Sequence, residues 1–584
     1  MSEATGQMGT QKMPAETAQA PAGAPAPAMR KFSPSEQVDF AIVGSGAAGG
    51  VLAKELSTAG FRVVILEQGP YLREDDFKHN EFKTVFQNEL IIDWKRQPTT
   101  FRKTEQEKAN VQPALMYGRL VGGGTVHFTA NYWRFHEIDF IERSKRGPVA
   151  GADLADWPIT YADLEPYYTK VEWEIGVSGR AGVSPFDPPR SKPYPLPPLP
   201  IKSTGALFEK GARKMGWHPF PAPIAILSRN YRNRAGCVHC GYCEGFGCEM
   251  GAKSSTLASV IPEAERTGRC EIRPNSYVSE IRTDAAGRAT GVAYFDAKKA
   301  EHFQKAKAVI VCANGAETPR LLLLSKSSRF PQGLANSSGM VGRYLMFNGS
   351  AMANAQFEHP LNEYKSQVVT RVVHDFYELD PKLGFCGGGG MDMRFDQLPI
   401  SFALNGLPAD APRWGAEYKK QIQRNFTRTA YIFCHATSLP VPTNSISLDP
   451  DVKDEWGLPA LRVTYKDHPD DLKTCQYLLD RAMELLDATP ALRKWSNPVG
   501  EQQFGVHLLG TCRMGNDPKT SVVNTDHRTH DVPNLFLCDG SSLVTSGRGQ
   551  PTMTIQALAF RASDRIVRLA KRGELGTGAR PTQG

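Results

Sequence analysis

Val38-Asp39-Phe40-Ala41-Ile42-Val43-Gly44-Ser45-Gly46-Ala47-Ala48-Gly49 decides the fold. The apolar run over 38–43 reads as a short buried strand. A helical pattern follows over 51–59, and a second strand over 62–66 ends at Glu67. Glycines 44, 46 and 49 therefore lie between a strand and a helix, with an acid 18 residues after the last of them. Gly44 permits the tight turn, Gly46 lets the backbone approach a pyrophosphate, and Gly49 lets the helix pack close. The helix N-terminus favours the negative charge. Glu67 stands where a ribose hydroxyl is bound. The unit predicts a dinucleotide site in a Rossmann-like α/β domain, and the glycines alone do not separate FAD from NAD.

The chain around this unit has 584 residues, 41% of them apolar and 22% charged, a globular composition that excludes fibrous and disordered classes. Its net charge is 69 − 61 = +8. The basic residues are scattered rather than massed, so no nucleic-acid face is expected. No run approaches the length of a membrane span, so no membrane span of its own is expected. Residues 1–33 are rich in Ala, Pro, Gly, Thr and Gln and contain APAGAPAPA. That composition predicts a disordered tail, and the absence of an apolar core within it predicts no secretory signal.

Later segments decide the cofactor. They are Arg119-Leu120-Val121-Gly122-Gly123-Gly124-Thr125-Val126-His127, Gly315-Ala316-Glu317-Thr318-Pro319-Arg320, His507-Leu508-Leu509-Gly510-Thr511-Cys512-Arg513-Met514-Gly515 and Asn534-Leu535-Phe536-Leu537-Cys538-Asp539-Gly540. In this order, over about 36–572, the chain resembles the glucose–methanol–choline (GMC) oxidoreductases. The resemblance implies FAD and a GMC fold, in which a Rossmann-like FAD domain is interleaved with an antiparallel-sheet substrate domain (α/β with α+β). The FAD domain is expected from 34–150, 236–345 (with the Cys-rich insert) and 501–572, and the substrate domain from 151–235 and 346–500. The end, 573–584, is expected to be flexible. Cofactor contacts are expected at Gly44, Gly46, Gly49, Glu67, Arg119, Gly122, Gly123, His127, Asp539 and Gly540. Val278 is expected at the adenine, where a plain core strand position is an equal reading.

Alcohol oxidation by a flavin needs a base for the hydroxyl proton while hydride leaves the carbon. His507 holds the family's base position. Where relatives place His or Asn some forty residues later, this chain has Gln550, an amide that can position a hydroxyl but cannot titrate. The alternative is a Gln that merely caps the following helix. In His435-Ala436-Thr437-Ser438-Leu439-Pro440, Thr437 stands where some relatives carry Glu, so any tuning carboxylate must be absent or come from elsewhere. His127 matches a position at which some relatives attach FAD covalently and others do not. Asn348 and the 387–390 glycine run are expected in loops at the mouth of the site, the run being equally readable as a flexible surface loop.

Cys237, Cys240, Cys243 and Cys248 form a C-x2-C-x2-C-x4-C run. Such spacing wraps one metal centre, and zinc and iron–sulfur compete for it. The run resembles in position the Cys-rich insert of bacterial membrane-associated sugar dehydrogenases of the family. That resemblance implies an iron–sulfur cluster, 3Fe-4S favoured and 4Fe-4S the alternative. The final gap and the missing Pro depart from the ferredoxin pattern. The likeness to glucoside 3-dehydrogenase and gluconate 2-dehydrogenase flavoprotein subunits implies a sugar or glycoside substrate. It also implies a small partner subunit carrying an export signal and a cytochrome c or quinone acceptor. The expected compartment is the periplasm by co-export, with the cytoplasm as alternative.

Overall fold

The computed structural model describes residues 30–575. The expected tails at 1–33 and 573–584 lie largely outside that range. Where the described chain begins, Phe32 is buried and its amide donates to Glu271 Oε2 at 2.6 Å.

A seven-stranded sheet gathers segments far apart in the chain. Cys270–Arg273, Val63–Leu66, Val38–Val43 and the second half of Glu301–Val311 run parallel in that order, and Leu535–Leu537 pairs with Val309–Val311. The four residues of Val63–Leu66 are all buried, as a parallel strand covered on both faces requires. Tyr277–Thr283, Ala289–Phe295 and the first half of Glu301–Val311 extend the sheet as an antiparallel meander. Helices Ala47–Thr58, Pro551–Lys571 and Tyr161–Ile175 pack side by side.

The first helix starts at Ala47, four residues before the periodic apolar pattern, so Gly49 and Gly50 lie inside it. Two helical glycines each cost about 1 kcal/mol relative to Ala. Packing overrides that cost: a Cβ on Gly49 would sit 2.0 Å from the Gly44 carbonyl oxygen.

A second, antiparallel sheet of six strands runs 491–496, 349–357, 429–436, 389–394, 371–373 and 220–221. Its inner face (Ala353, Ile432, Met391) packs on Leu478, Ala482 and Leu485 of helix Pro469–Asp487. Of the glycine run expected in a loop, Gly387 and Gly388 lie outside regular structure, while Gly389 and Gly390 begin a strand of this sheet. A Cβ on Gly387, Gly388 or Gly389 would lie 2.0–2.1 Å from Thr474 Oγ1, Tyr377 O or His435 O. These glycines are closely packed, and none of 387–390 lines the cavity described below.

Candidate active site

A cavity of about 580 Å³ runs between the two sheets, lined at one end by Glu67 and Val278 and at the other by His507, His435 and Gln550. Between them lie Gly44, Gly46, Gly123 and His127. Gly44 has φ +91°, and a Cβ there would meet Cys312 O at 2.5 Å. A Cβ on Gly123 would fall 2.8 Å from Gly46 Cα, so the two glycine loops face each other with no side chain between them. No acidic residue occupies the first turn of helix Ala47–Thr58, which leaves its positive end free for an anion. His127 Nε2 is buried without a hydrogen-bond partner. A bare glycine cradle, an unshielded helix N-terminus and an orphaned polar atom along one channel fit FAD.

Glu67 braces the glycine loop as well as facing the channel. Its Oε2 accepts from Ser45 N and Oγ at 3.1 and 2.8 Å, and its Oε1 from Gly69 N at 2.9 Å. Ser45 Oγ also accepts from Gly122 N at 3.1 Å, tying the two loops together. Gly49 and Gly122 do not line the channel; they pack behind it. Asp539 and Gly540 do line it. Asp539 accepts from Asn314 N (3.1 Å), Thr318 Oγ1 (2.5 Å) and Ser541 N (2.8 Å), so it fixes the local backbone. Arg119 is placed elsewhere: it lines a separate cavity of about 250 Å³ with Gln68, Arg96 and Trp456.

His507 sits on a loop clamped on both sides. Cβ atoms on Gly315 and Gly540 would come 2.0 and 2.6 Å from Leu508 O. Met346 and Leu509 exchange backbone hydrogen bonds at 3.1 and 3.2 Å. That antiparallel register sets Asn348, two residues on, opposite His507, two residues back. Asn348 is buried at φ +65°, a conformation that asparagine tolerates. Its Nδ2 donates to the carbonyls of Ala436, Ser546 and Gly547, each at 3.3 Å. The three acceptors fix the amide, so Asn348 Oδ1 faces His507 Nδ1 at 3.0 Å and can only accept. His507 therefore carries its proton on Nδ1 and keeps a lone pair on Nε2. Burial, helped by nearby His435, lowers its pKa to about 4, so the ring is neutral at pH 7. A neutral imidazole with a bare nitrogen in the cavity is a competent base.

Gln550 occupies the N-cap position of helix Pro551–Lys571, yet its side chain makes no cap hydrogen bond. Its Nε2 lies 3.2 Å from His435 Nδ1 instead, and His435 Nε2 lies 2.8 Å from Asp392 Oδ2. A carboxylate is thus supplied from Asp392, to His435 rather than to His507. His435, Asp392 and Asn348's role beside the base were not singled out by motif.

The four cysteines gather without forming a ligand set. Cys243 feels the other three thiols, and burial pushes its thiol up to about 12. Lys253 Nζ holds the loop by donating to the carbonyls of Cys243 (2.5 Å), Phe246 (2.7 Å) and Phe128 (3.2 Å). Among the described residues, no three His, Cys, Asp or Glu side chains are arranged to hold a metal ion. The donor chemistry suits a cluster, but the arrangement does not. The other seven cysteines are buried apart from Cys386, which is half-buried.

A family profile described as GMC oxidoreductase matches residues 38–346, and a second with the same description matches 440–559. The chain is 35% identical to 2-methyl-1,2-propanediol dehydrogenase of Mycolicibacterium austroafricanum, over 91% of this chain and 96% of that one. It is 30% identical to the fructose dehydrogenase large subunit of Gluconobacter japonicus, over 92% and 98%. The fold matches a formate oxidase of Aspergillus oryzae with a TM-score of 0.63 at 15% identity, covering 93% of this chain and 100% of that one. With its FAD channel and an unprotonated histidine nitrogen facing it, the chain belongs to the GMC oxidoreductases, flavoenzymes that act on CH–OH groups.

Proposed function

We propose that the chain is a dehydrogenase that oxidises a hydroxyl of a neutral sugar, glycoside or polyol, with C3 of a glucoside the first position to test. The observation that carries this reading is His507 Nε2, held free of its proton by the Asn348 contact on Nδ1. FAD, when bound, supplies the hydride acceptor. His507 takes the hydroxyl proton, and the cavity walls hold the carbon that gives up hydride. Among the described residues, Arg394 is the only Lys or Arg lining the cavity, and its Nε and Nη2 both bind Asp392 at 2.5 Å. Among the described residues no free cation therefore awaits a carboxylate, which favours a neutral substrate over gluconate. Two relatives named for a diol and a ketose support the same class.

Anaerobic titration with methyl glucoside tests this reading. Bleaching of the flavin band supports it, and a flavin left oxidised rejects the glucoside. An external acceptor such as cytochrome c or a quinone receives the electrons; oxygen consumption matching dye reduction would make the enzyme an oxidase instead. The iron–sulfur reading rests on the C-x2-C-x2-C-x4-C run and on its likeness in position to the Cys-rich insert of related sugar dehydrogenases, and iron and sulfide analysis of anaerobically purified protein decides it. Co-export with a small signal-bearing subunit is the corresponding proposal for location. Among the described residues no helix is long and apolar enough to cross a membrane. Efficient periplasmic delivery without the partner would refute co-export.

A further inference from the structure

Strands Gly389–Arg394 and Thr429–Ala436 bring Asp392, Arg394 and His435 to the substrate end of the cavity, and a buried chain of contacts runs from them to Gln550. Arg394 grips both oxygens of Asp392 at 2.5 Å. This guanidinium holds the Asp392 carboxyl below the usual carboxylate range despite burial. His435 Nε2 lies 2.8 Å from Asp392 Oδ2 and 3.2 Å from Arg394 Nη2, and that Nη2 already donates to the same carboxylate oxygen at 2.5 Å; the shorter contact is with an ionised carboxylate, which only accepts, so it assigns the proton to Nε2. His435 Nδ1 then offers a lone pair, and the Gln550 amide nitrogen donates into it at 3.2 Å. Gly549 makes room for this contact: its φ is +122°, and a Cβ there would lie 2.8 Å from His435 Cβ. Burial keeps the His435 ring neutral among its charged and titratable neighbours Asp392, Arg394, His374 and His507.

The amide of Gln550 is therefore not free to turn. Its nitrogen is committed to His435, and its Oε1 has no hydrogen bond to any described residue, in a side chain that lines the cavity. An acceptor oxygen is of no use to the hydroxyl being oxidised, because that hydroxyl must give its proton to His507. It is of use to another hydroxyl beside it.

We propose that His435 is a positioning residue that holds the Gln550 carbonyl oxygen toward the substrate. That oxygen accepts a hydrogen bond from a hydroxyl adjacent to the one oxidised, so the enzyme selects vicinal diols over the matching mono-ols. This rests on the alcohol-dehydrogenase reading above. Sugars and polyols meet the requirement, since their reacting carbons carry hydroxyl-bearing neighbours.

The test is anaerobic flavin reduction in the FAD-loaded full chain by 1,2-propanediol and by 1-propanol, read as the ratio of the two kcat/KM values. A site built to bind a hydroxyl rejects the analogue that lacks it, and the expected ratio is at least about 50. In His435→Phe the ratio should fall to below about 5, and Gln550→Met should do the same through the half-buried residue if the buried substitution fails to fold. General damage slows both alcohols alike and leaves the ratio, so a merely structural role predicts no change in it. A wild-type ratio near one, no reduction by the diol, or an unchanged ratio in both variants overturns the proposal. Failure of the underlying reading looks different: neither these alcohols nor methyl glucoside would bleach the flavin.

Discussion

Replacing Asn348 with glycine separates the orientation of the base from its presence. Asn348 stands at φ +65°, so alanine would add backbone strain that glycine does not. The substitution removes the 3.0 Å contact that keeps the proton on His507 Nδ1. It also removes the three donated bonds at 3.3 Å that together orient the amide, each of them long and individually weak. A neutral hydrogen bond is worth about 1 kcal/mol net. Freeing the ring to turn and to change tautomer adds a comparable loss, for a total of about 1.5–2.5 kcal/mol on the chemical step, or roughly 10- to 70-fold. Asn348 does not line the cavity, so FAD content and KM should stay near wild type. Stopped-flow anaerobic flavin reduction measures the step directly. Reduction at the wild-type rate by a folded, FAD-loaded Asn348→Gly protein would refute the tautomer argument.

Other consequences follow from burial and packing. With the His507 pKa lowered to about 4, kcat/KM for the free enzyme should be flat from about pH 5 through neutrality and fall only below about pH 4. A bend near 6.5, the ordinary histidine value, would contradict the neutral base. His374 and His527 are lowered to about 3. Between that value and about 6.5 the unfolded chain binds more protons, so stability rises with pH through this window and is lost as pH falls through it. Each of these buried histidines should cost about 2 kcal/mol at pH 5 relative to pH 7, and denaturant melts at the two pH values that coincide would exclude this. Gly49→Ala drives a Cβ to 2.0 Å from the Gly44 carbonyl. It should abolish FAD retention on purification, and a fully yellow protein would show that the loop tolerates it.

What could be read along the chain was what the chain keeps contiguous. The strand, glycine loop, helix and Glu67 fall within thirty residues, and each acts through backbone geometry that its own neighbours set. His507 was legible through the motif around it. Its partner was not: Asn348 lies 159 positions away, and only the antiparallel pairing of Met346 with Leu509 brings the two together. His435 stands 115 residues from Gln550, and Asp392 reaches His435 through strand register. The departure at Thr437 left a tuning carboxylate either absent or supplied from elsewhere, and nothing local pointed to Asp392. Glycines misled wherever tertiary packing set their use. Gly49 and Gly50 continue a helix that periodicity started later, and Gly387–Gly389 pack tightly against neighbouring backbone and side chains as the chain enters a strand. Arg119, close in sequence to the second glycine loop, points into a different cavity.

The central claim is that His507 takes the substrate proton in an FAD channel. The most direct measurement is the anaerobic rate of flavin reduction by methyl glucoside, or by whichever polyol reduces the wild type fastest, in His507→Ala against wild type, both with FAD bound. Loss of a general base predicts a rate lower by about 10²- to 10⁴-fold, with the flavin spectrum intact. Reduction of the His507→Ala flavin within a few-fold of wild type would contradict the account.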